Sequence, residues 1–404
     1  MSITSAAEAT SICHTTSSEP ETGRSIGTNG AETLGTATGV PAPSRHFRAD
    51  KIFAHKDRLR EWLRTGSAVP VTMEMDMTNV CNQKCPHCFG FYPERDQARM
   101  CLEEAKRIIR EARILGVRGL TFTGGGDPMI HPDTPAAVAF AAEEGLDVGF
   151  ITNAQKMTQA AADVISRYCV WVRVSLDAAT PEVFFKTHGM GPKQWETVLN
   201  NVRLIVSCKA RQGSRATVGV GFLTCEKTRA DVRAFAKLGR ELGVDYAQYR
   251  PLLSRHGEKE IDYSDESLIS DMLAAQKEFQ TDAYRVVCSE HKYRRIAQGR
   301  VGRTYGKCHG QFFATVVGAD KKMYVCCHMR GVEKYEIGDL SKKTMSEIWN
   351  GEEHRRVAAS VDFADCTQLC RADSFNNILW DLSEGKAALE DNPDEEEWEH
   401  RNFI

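Results

Sequence analysis

The 404-residue chain has no run of 18 or more apolar residues, which excludes an apolar membrane-spanning helix. Its opening "MSITSAAEATSICHTTSSEP" lacks the apolar stretch of a secretory signal, so a cytoplasmic location is expected. It also lacks an excess of either charge. With 52 Lys+Arg against 55 Asp+Glu, the net charge of -3 gives none of the basic footprint of a nucleic-acid binder. The expected partner is a small-molecule substrate, with no nucleic acid and no membrane. No internal repeat of 20 to 50 residues is visible, which excludes solenoids and propellers. Large apolar side chains are almost missing from residues 1–48, a Ser/Thr/Gly/Ala-rich stretch read as a disordered tail. From Asp381 the run "EDNPDEEEWEH" reads as a solvated acidic tail, 381–404.

What is present is cysteine, 14 residues of it. A reducing compartment keeps thiols free, so this number argues for metal ligation or redox chemistry over disulfides.

Between the tails, period-2 and period-3.6 patterns alternate. Strands are expected at 71–77, 117–123, 147–153, 170–177, 217–224 and 245–252, with a helix between each pair; Leu102, Ala105, Ile108, Ile109, Ala112 and Leu115 mark the first helical face. Such alternation requires parallel strands joined by right-handed crossovers, in an open sheet or a barrel. Both architectures place their chemistry at the C-terminal strand ends. Near residue 300 the pattern breaks into short strands, Gly and Cys, so the main domain is drawn at 49–300 and a smaller module at 301–380.

Just past the first strand stands "CNQKCPHC" with Cys81, Cys85 and Cys88. Structural zinc wants four ligands, commonly as two CxxC pairs, and CxxxCxxC matches that poorly. Three thiolates can hold three irons of a 4Fe-4S cube and leave the fourth iron open. A zinc or plain electron-transfer site is the other reading.

CxxxCxxC in this position resembles the radical S-adenosylmethionine (SAM) superfamily, and the likeness covers roughly residues 71–255. It implies an α/β fold, a partial (β/α)6 TIM-like barrel with SAM chelating the open iron. It also implies reductive cleavage of SAM to methionine and a 5'-deoxyadenosyl radical that takes hydrogen from substrate. A low-potential donor such as flavodoxin or ferredoxin would supply the electron. His87 holds the place of the residue that lies against adenine. "TGGGDP" resembles the family's GGE motif, with Gly125, Gly126 and Asp127 as the match. Asn153 of "ITNA" resembles the Asn of its TNG segment, and Ser175 and Asp177 of "VRVSLDA" match positions near the SAM carboxylate or ribose. Each alone fits a turn or a cap equally well. They fall in order on strands one to four.

The C-terminal module carries Cys308, Cys326, Cys327, Cys366 and Cys370, and "YEIGDLSKKTMSEIWNGEEHRRV" resembles the segment found in SPASM and twitch auxiliary-cluster domains. That resemblance implies a small C-terminal SPASM/twitch-type iron-sulfur domain with one auxiliary 4Fe-4S cluster on Cys308, Cys326, Cys366 and Cys370. Cys327 is the alternative to Cys326, and a four-cysteine zinc is the alternative metal.

For the reaction, oxidation or epimerisation of a sugar- or aminocyclitol-like molecule is the main expectation. Cys225, just past strand five, is the candidate hydrogen donor, with Cys288 second. Gln248 and Arg250 on the last strand are candidate substrate contacts, Arg suiting a carboxylate or phosphate. Maturation of a ribosomally made peptide is the alternative, weakened because residues 1–48 cannot form a leader-binding winged helix. A non-catalytic iron-sulfur or zinc protein is the second alternative.

Overall fold

A computed structural model describes residues 48–88, 96–253, 266–389 and 398–404. The serine-rich stretch up to residue 47 and the acidic run 390–397 lie outside them.

The six strands read from the pattern are present: β1 (Thr72–Asp76), β2 (Gly119–Thr123), β3 (Asp147–Thr152), β4 (Cys169–Ser175), β5 (Thr217–Thr224) and β6 (Tyr246–Pro251). A seventh, β7 (Arg285–Cys288), extends the series parallel to β6. β8 (Ala314–Val317) pairs in parallel with β1, and β9 (Lys322–Tyr324) and β10 (Glu336–Asp339) continue antiparallel. The sheet order is β10-β9-β8-β1-β2-β3-β4-β5-β6-β7. The α/β partial barrel is thus confirmed, but one sheet runs through the division drawn near residue 300. β7 and β10 are its two free edges.

Alternation decides which residue faces where. Met73, Met75, Leu120, Phe122, Val148, Phe150, Val172, Val174, Val218, Val220 and Phe222 are fully buried in one continuous core. Helix Leu102–Leu115 adds Ala105, Ile108, Ile109 and Ala112, the expected stripe. Each Val, Leu, Ile, Phe or Met among them contributes about 1.5–3 kcal/mol by leaving water. The opposite parity, Glu74, Asp76, Thr121, Arg173, Ser175, Gln248 and Arg250, points into the lumen and is polar. An ordinary barrel interior is filled with Val, Ile and Leu.

The barrel floor is closed by aromatics over bare backbone. A Cβ on Gly149 would collide with the Trp171 ring, and one on Gly219 with the Tyr246 ring. The chain's last residues return there. Phe403 packs edge-on to Trp171 at 5.3 Å, Asn402 Nδ2 donates to Asp147 at 2.7 Å, and a Cβ on Gly119 would meet the Asn402 carbonyl. The solvated tail expected from Asp381 is therefore corrected. Residues 373–383 form a helix, and Phe403 and Ile404 are buried because they supply the apolar plug the floor glycines leave room for.

Among the described residues no helix is long and apolar enough to cross a membrane.

Candidate functional site

The loop after β1 carries Cys81, Cys85 and Cys88, and the loop after β2 holds it in place. The Gly126 N–H donates to the Thr78 carbonyl at 2.9 Å, and the Asp127 N–H to that of Val80 at 3.1 Å. Any Cβ on Gly126 would strike the Val80 carbonyl, and one on Gly125 the Asn79 side chain. The glycines thus serve close approach of two loops. The Gly125 N–H is also spent, on Asp76 Oδ2 at 2.9 Å. With the Gly125, Gly126 and Asp127 N–H groups engaged, carbonyls of this segment are left to meet a ligand's ammonium group, which is the polarity such a group needs.

Asp127 is buried and turned toward the end of β3. It accepts from the Asn153 N–H at 2.6 Å, the Met129 N–H at 2.9 Å and the Thr152 hydroxyl at 3.0 Å. Burial pushes its carboxyl up against those three donors. Asn153, fixed in this way, donates its Nδ2 to Asn82 at 2.9 Å and lies 3.8 Å from Cys81 Sγ. Asp127 therefore acts on the cysteine loop through Asn153.

Asp177 follows β4 in a left-handed conformation, φ 47°. Its Oδ1 accepts from the Leu223 N–H at 2.7 Å; its Oδ2 lies 3.3 Å from His87 Nε2 and 3.9 Å from His188 Nε2. Burial would raise its carboxyl, but His87, with His188 and Arg250, holds it below the usual range. His188 stacks on Phe184 at 4.5 Å, and burial pushes it down to about 4. His188 was not singled out from sequence; it sits in helix Pro181–His188, which the pattern did not announce. Ser175 ends β4 half-buried.

Cys85 is raised by burial and by Cys88, Asp177 and Cys81. A Cys85 thiol that resists ionising beside two other thiols fits a cation-rich cluster, which compensates their charge when it binds.

In the C-terminal module, Cys326 is raised well above the ordinary thiol by burial and by Cys327, Cys308 and Cys370, and burial with Cys370 and Cys366 pushes Cys308 up to about 12. Burial pushes Cys366 up to about 11, with Cys370 adding to the rise. Cys308 and Cys370 thus each lie near both Cys326 and Cys366. Cys327 adjoins Cys326 and has Glu74, Arg371 and Arg330 of the lumen as its first neighbours after burial, with Cys370 behind them. The 366–370 loop is fixed by Arg303, which donates to the Thr367 carbonyl at 2.7 Å, and by Lys292, which donates to that of Leu369 at 3.0 Å. Among the described residues no three His, Cys, Asp or Glu side chains enclose a single metal ion; an iron-sulfur cube is larger and spreads its ligands farther apart.

The module also reaches into the barrel. Arg330 pairs with Glu74 at 2.7 Å and with Asp76 at 2.7 Å, and Arg371 pairs with Glu74. The sequence signal for the acids was there: Glu74 and Asp76 alternate in "VTMEMDM". Nothing marked their partners.

Gln248 is buried in the lumen and Arg250 half-buried beside it. Cys225 lies at the barrel mouth, its backbone N–H donating to Thr228 Oγ1 at 2.9 Å. Cys288 does not face the lumen; its thiol is 3.9 Å from the Met272 carbonyl, against helix Glu266–Phe279.

Family models match this geometry. The radical SAM superfamily model covers residues 75–239, and the SPASM iron-sulfur cluster-binding domain covers 308–372. Mycofactocin maturase MftC of Mycobacterium ulcerans is 32% identical over 135 residues, 33% of this chain and 36% of that protein. PqqA peptide cyclase of Streptomyces rochei is 32% identical over 114 residues, 28% of this chain and 31% of that protein. The chain thus spans about a third of the length of these curated relatives. SuiB of Streptococcus suis bound to S-adenosylmethionine shares the fold with a TM-score of 0.60 at 14% identity, covering 80% of this chain and 77% of that one. SuiB has also been solved bound to precursor peptide SuiA, with a TM-score of 0.58 at 14% identity over 76% of this chain and 70% of that one. The cofactors are accordingly 4Fe-4S clusters and SAM.

The expected sugar-like substrate and small-molecule partner are corrected here. The relatives are a maturase and a peptide cyclase, so the alternative weighed from sequence is the better one. The physical reason the sequence misled is that cysteine spacing specifies the cluster and leaves open what enters the lumen. The donor role of Cys225 is tied to epimerisation of that sugar and loses its footing with it.

Proposed function

As a radical SAM enzyme with a C-terminal SPASM domain, the chain has its cofactors defined, and we propose that it is a maturase acting on a ribosomally made precursor peptide. The observation that carries this reading is the likeness of about a third of the chain to a maturase and a peptide cyclase. The open sheet supports it: with β7 and β10 as free edges, an extended chain can enter from the side.

Cys81, Cys85 and Cys88 would hold the cluster that binds SAM, and Cys308, Cys326, Cys366 and Cys370 the auxiliary one. Once bound, cluster and SAM supply one-electron cleavage of the sulfonium and hydrogen-atom abstraction from a C–H bond. The chain's own residues position them. Asp76 fixes Gly125, Asp127 fixes Asn153, and Asn153 steadies the Cys81 turn. Asp177, anchored by the Leu223 N–H, holds the His87 ring where the family stacks adenine. The lumen residues above them would receive the peptide.

The reconstituted protein with SAM and a reductant should change the mass of a peptide encoded by a short reading frame beside its gene. Conversion of an aminocyclitol panel with no peptide touched would contradict the reading. The ligand assignment has its own test in iron content. Cys326→Ala should lose about four irons per chain, while Cys327→Ala keeps them; the reverse pattern would exchange their roles.

A further inference from the structure

We infer that Arg173, Gln248 and Arg250 form a site for a carboxylate of the substrate. It rests on the peptide reading for the owner of that carboxylate, and on the lumen itself for the charge.

β4, β5 and β6 present Arg173, Gly221, Gln248 and Arg250 on one face, with Gly221 paired to Gln248 and Leu223 to Arg250. A Cβ on Gly221 would lie 3.3 Å from a terminal nitrogen of Arg250 and 3.5 Å from Cδ of Arg173. Both arginine arms therefore cross the same bare stretch of backbone. Neither side chain makes a hydrogen bond or ion pair among the described residues, and the Nε of each is buried without a partner. Gln248 is 4% exposed, and its Oε1 is likewise without a partner.

The lumen's acids are already engaged. Glu74 is held by Arg330 and Arg371, Asp76 by Arg330 and the Gly125 N–H, and Asp177 by the Leu223 N–H and His87. Among the described residues the two neighbouring cations have no ion-pair partner, and Glu74 and Asp177 act on them only from a distance. Burial, with Arg250 close by, pushes Arg173 down to about 9, so it is still charged at neutral pH. Desolvated charge without a partner is expensive, and a carboxylate brought by the substrate removes that expense while matching the planar guanidinium fork. Gln248 then offers an acceptor to the peptide N–H beside it. Arg173 escaped the sequence reading, although "VWVRVS" puts it on the same face as Ser175.

The carboxylate could be an acidic side chain, a peptide C-terminus or that of SAM. Binding to the reconstituted holoenzyme, measured by calorimetry with and without saturating SAM, separates them. The probes are acetyl-aspartate N-methylamide against its asparagine analogue, and acetyl-glycyl-glycine against its amide. One carboxylate probe should bind about tenfold tighter than its amide with SAM present, and Arg173→Gln and Arg250→Gln should each erase that preference with SAM affinity held within about twofold. Equal binding of acid and amide, or loss of SAM affinity in its place, overturns the inference. A second readout needs no ligand. Removing an unpaired buried cation should leave the thermal midpoint of the apo Arg173→Gln chain unchanged or raised. A fall of several degrees, or failure to fold, would mean Arg173 is paired in the wall and would overturn the site. Carboxylate preference in a protein that turns over only a non-peptide acid would keep the site and remove the peptide reading; peptide turnover with no such preference would do the reverse.

Discussion

Changing Cys81, Cys85 and Cys88 together to alanine is expected to lower iron from about eight to about four per chain and to abolish 5'-deoxyadenosine formation altogether. The loss should be complete because no other cysteine replaces the lost ligands: the auxiliary cysteines neighbour one another in the C-terminal module, and the Cys225 backbone is held in the Thr228 turn. The fold should survive. The loop's strong anchors are the Thr78 and Val80 carbonyls and the Asn82 side chain; the Cys81 thiol adds only long contacts from the Gln83 N–H at 3.4 Å and Asn153 Nδ2 at 3.8 Å. Iron and zinc analysis after anaerobic reconstitution, read beside thermal unfolding, checks both halves. Four irons falling to none with zinc retained would move the auxiliary site to zinc, and no iron in either protein would sink the radical chemistry.

Arg330→Met is expected to destabilise the chain by about 3–5 kcal/mol, a thermal midpoint lower by roughly 4–7 °C. Its guanidinium is the shared partner of Glu74 and Asp76, whose side chains are 10% and 0% exposed. Without it Asp76 loses the guanidinium that neutralises it, and its bond to the Gly125 N–H also positions the glycine loop beneath the cysteines. SAM affinity should therefore fall together with stability. The pH dependence gives a second reading. Burial raises the Glu74 carboxyl, but Arg371 and Arg330 hold it below its ordinary value of 4.5. A depressed carboxyl adds stability that is complete above the ordinary value and is lost as pH falls through the depressed one. The wild type should hold its stability into acid, and the variant should begin to lose it at higher pH. Superimposable urea-unfolding profiles of the two proteins between about pH 3 and 7 would contradict the clamp.

Much of this was legible in the chain. Strict alternation in β1, β4 and β6 told which side chains meet the helices and which meet the lumen, because strand parity is a local property. Cys81, Cys85 and Cys88, the glycine loop and Asp177 fell on successive strand ends for the same reason. What stayed hidden depends on distant partners. β8 joins β1 from about 240 residues away, and Arg330 and Arg371 cross from the second module to acids on the first strand. Phe403 and Ile404 follow an acidic run that hides their apolar character from any composition window, yet they seal the floor. The substrate was not legible because a Ser/Thr-rich composition over residues 1–48 says nothing about what enters the lumen. A separate partner can bind a leader, whereas the lumen charges belong to this chain.

The central claim is that hydrogen is taken from a peptide in this barrel. It is tested most directly by supplying the reconstituted enzyme with a candidate precursor peptide grown in deuterated medium and weighing the 5'-deoxyadenosine produced. Deuterium appearing in 5'-deoxyadenosine, in step with the altered peptide, is the result predicted. Unlabelled 5'-deoxyadenosine beside an unchanged peptide, with label passing only from a deuterated small molecule, would contradict it.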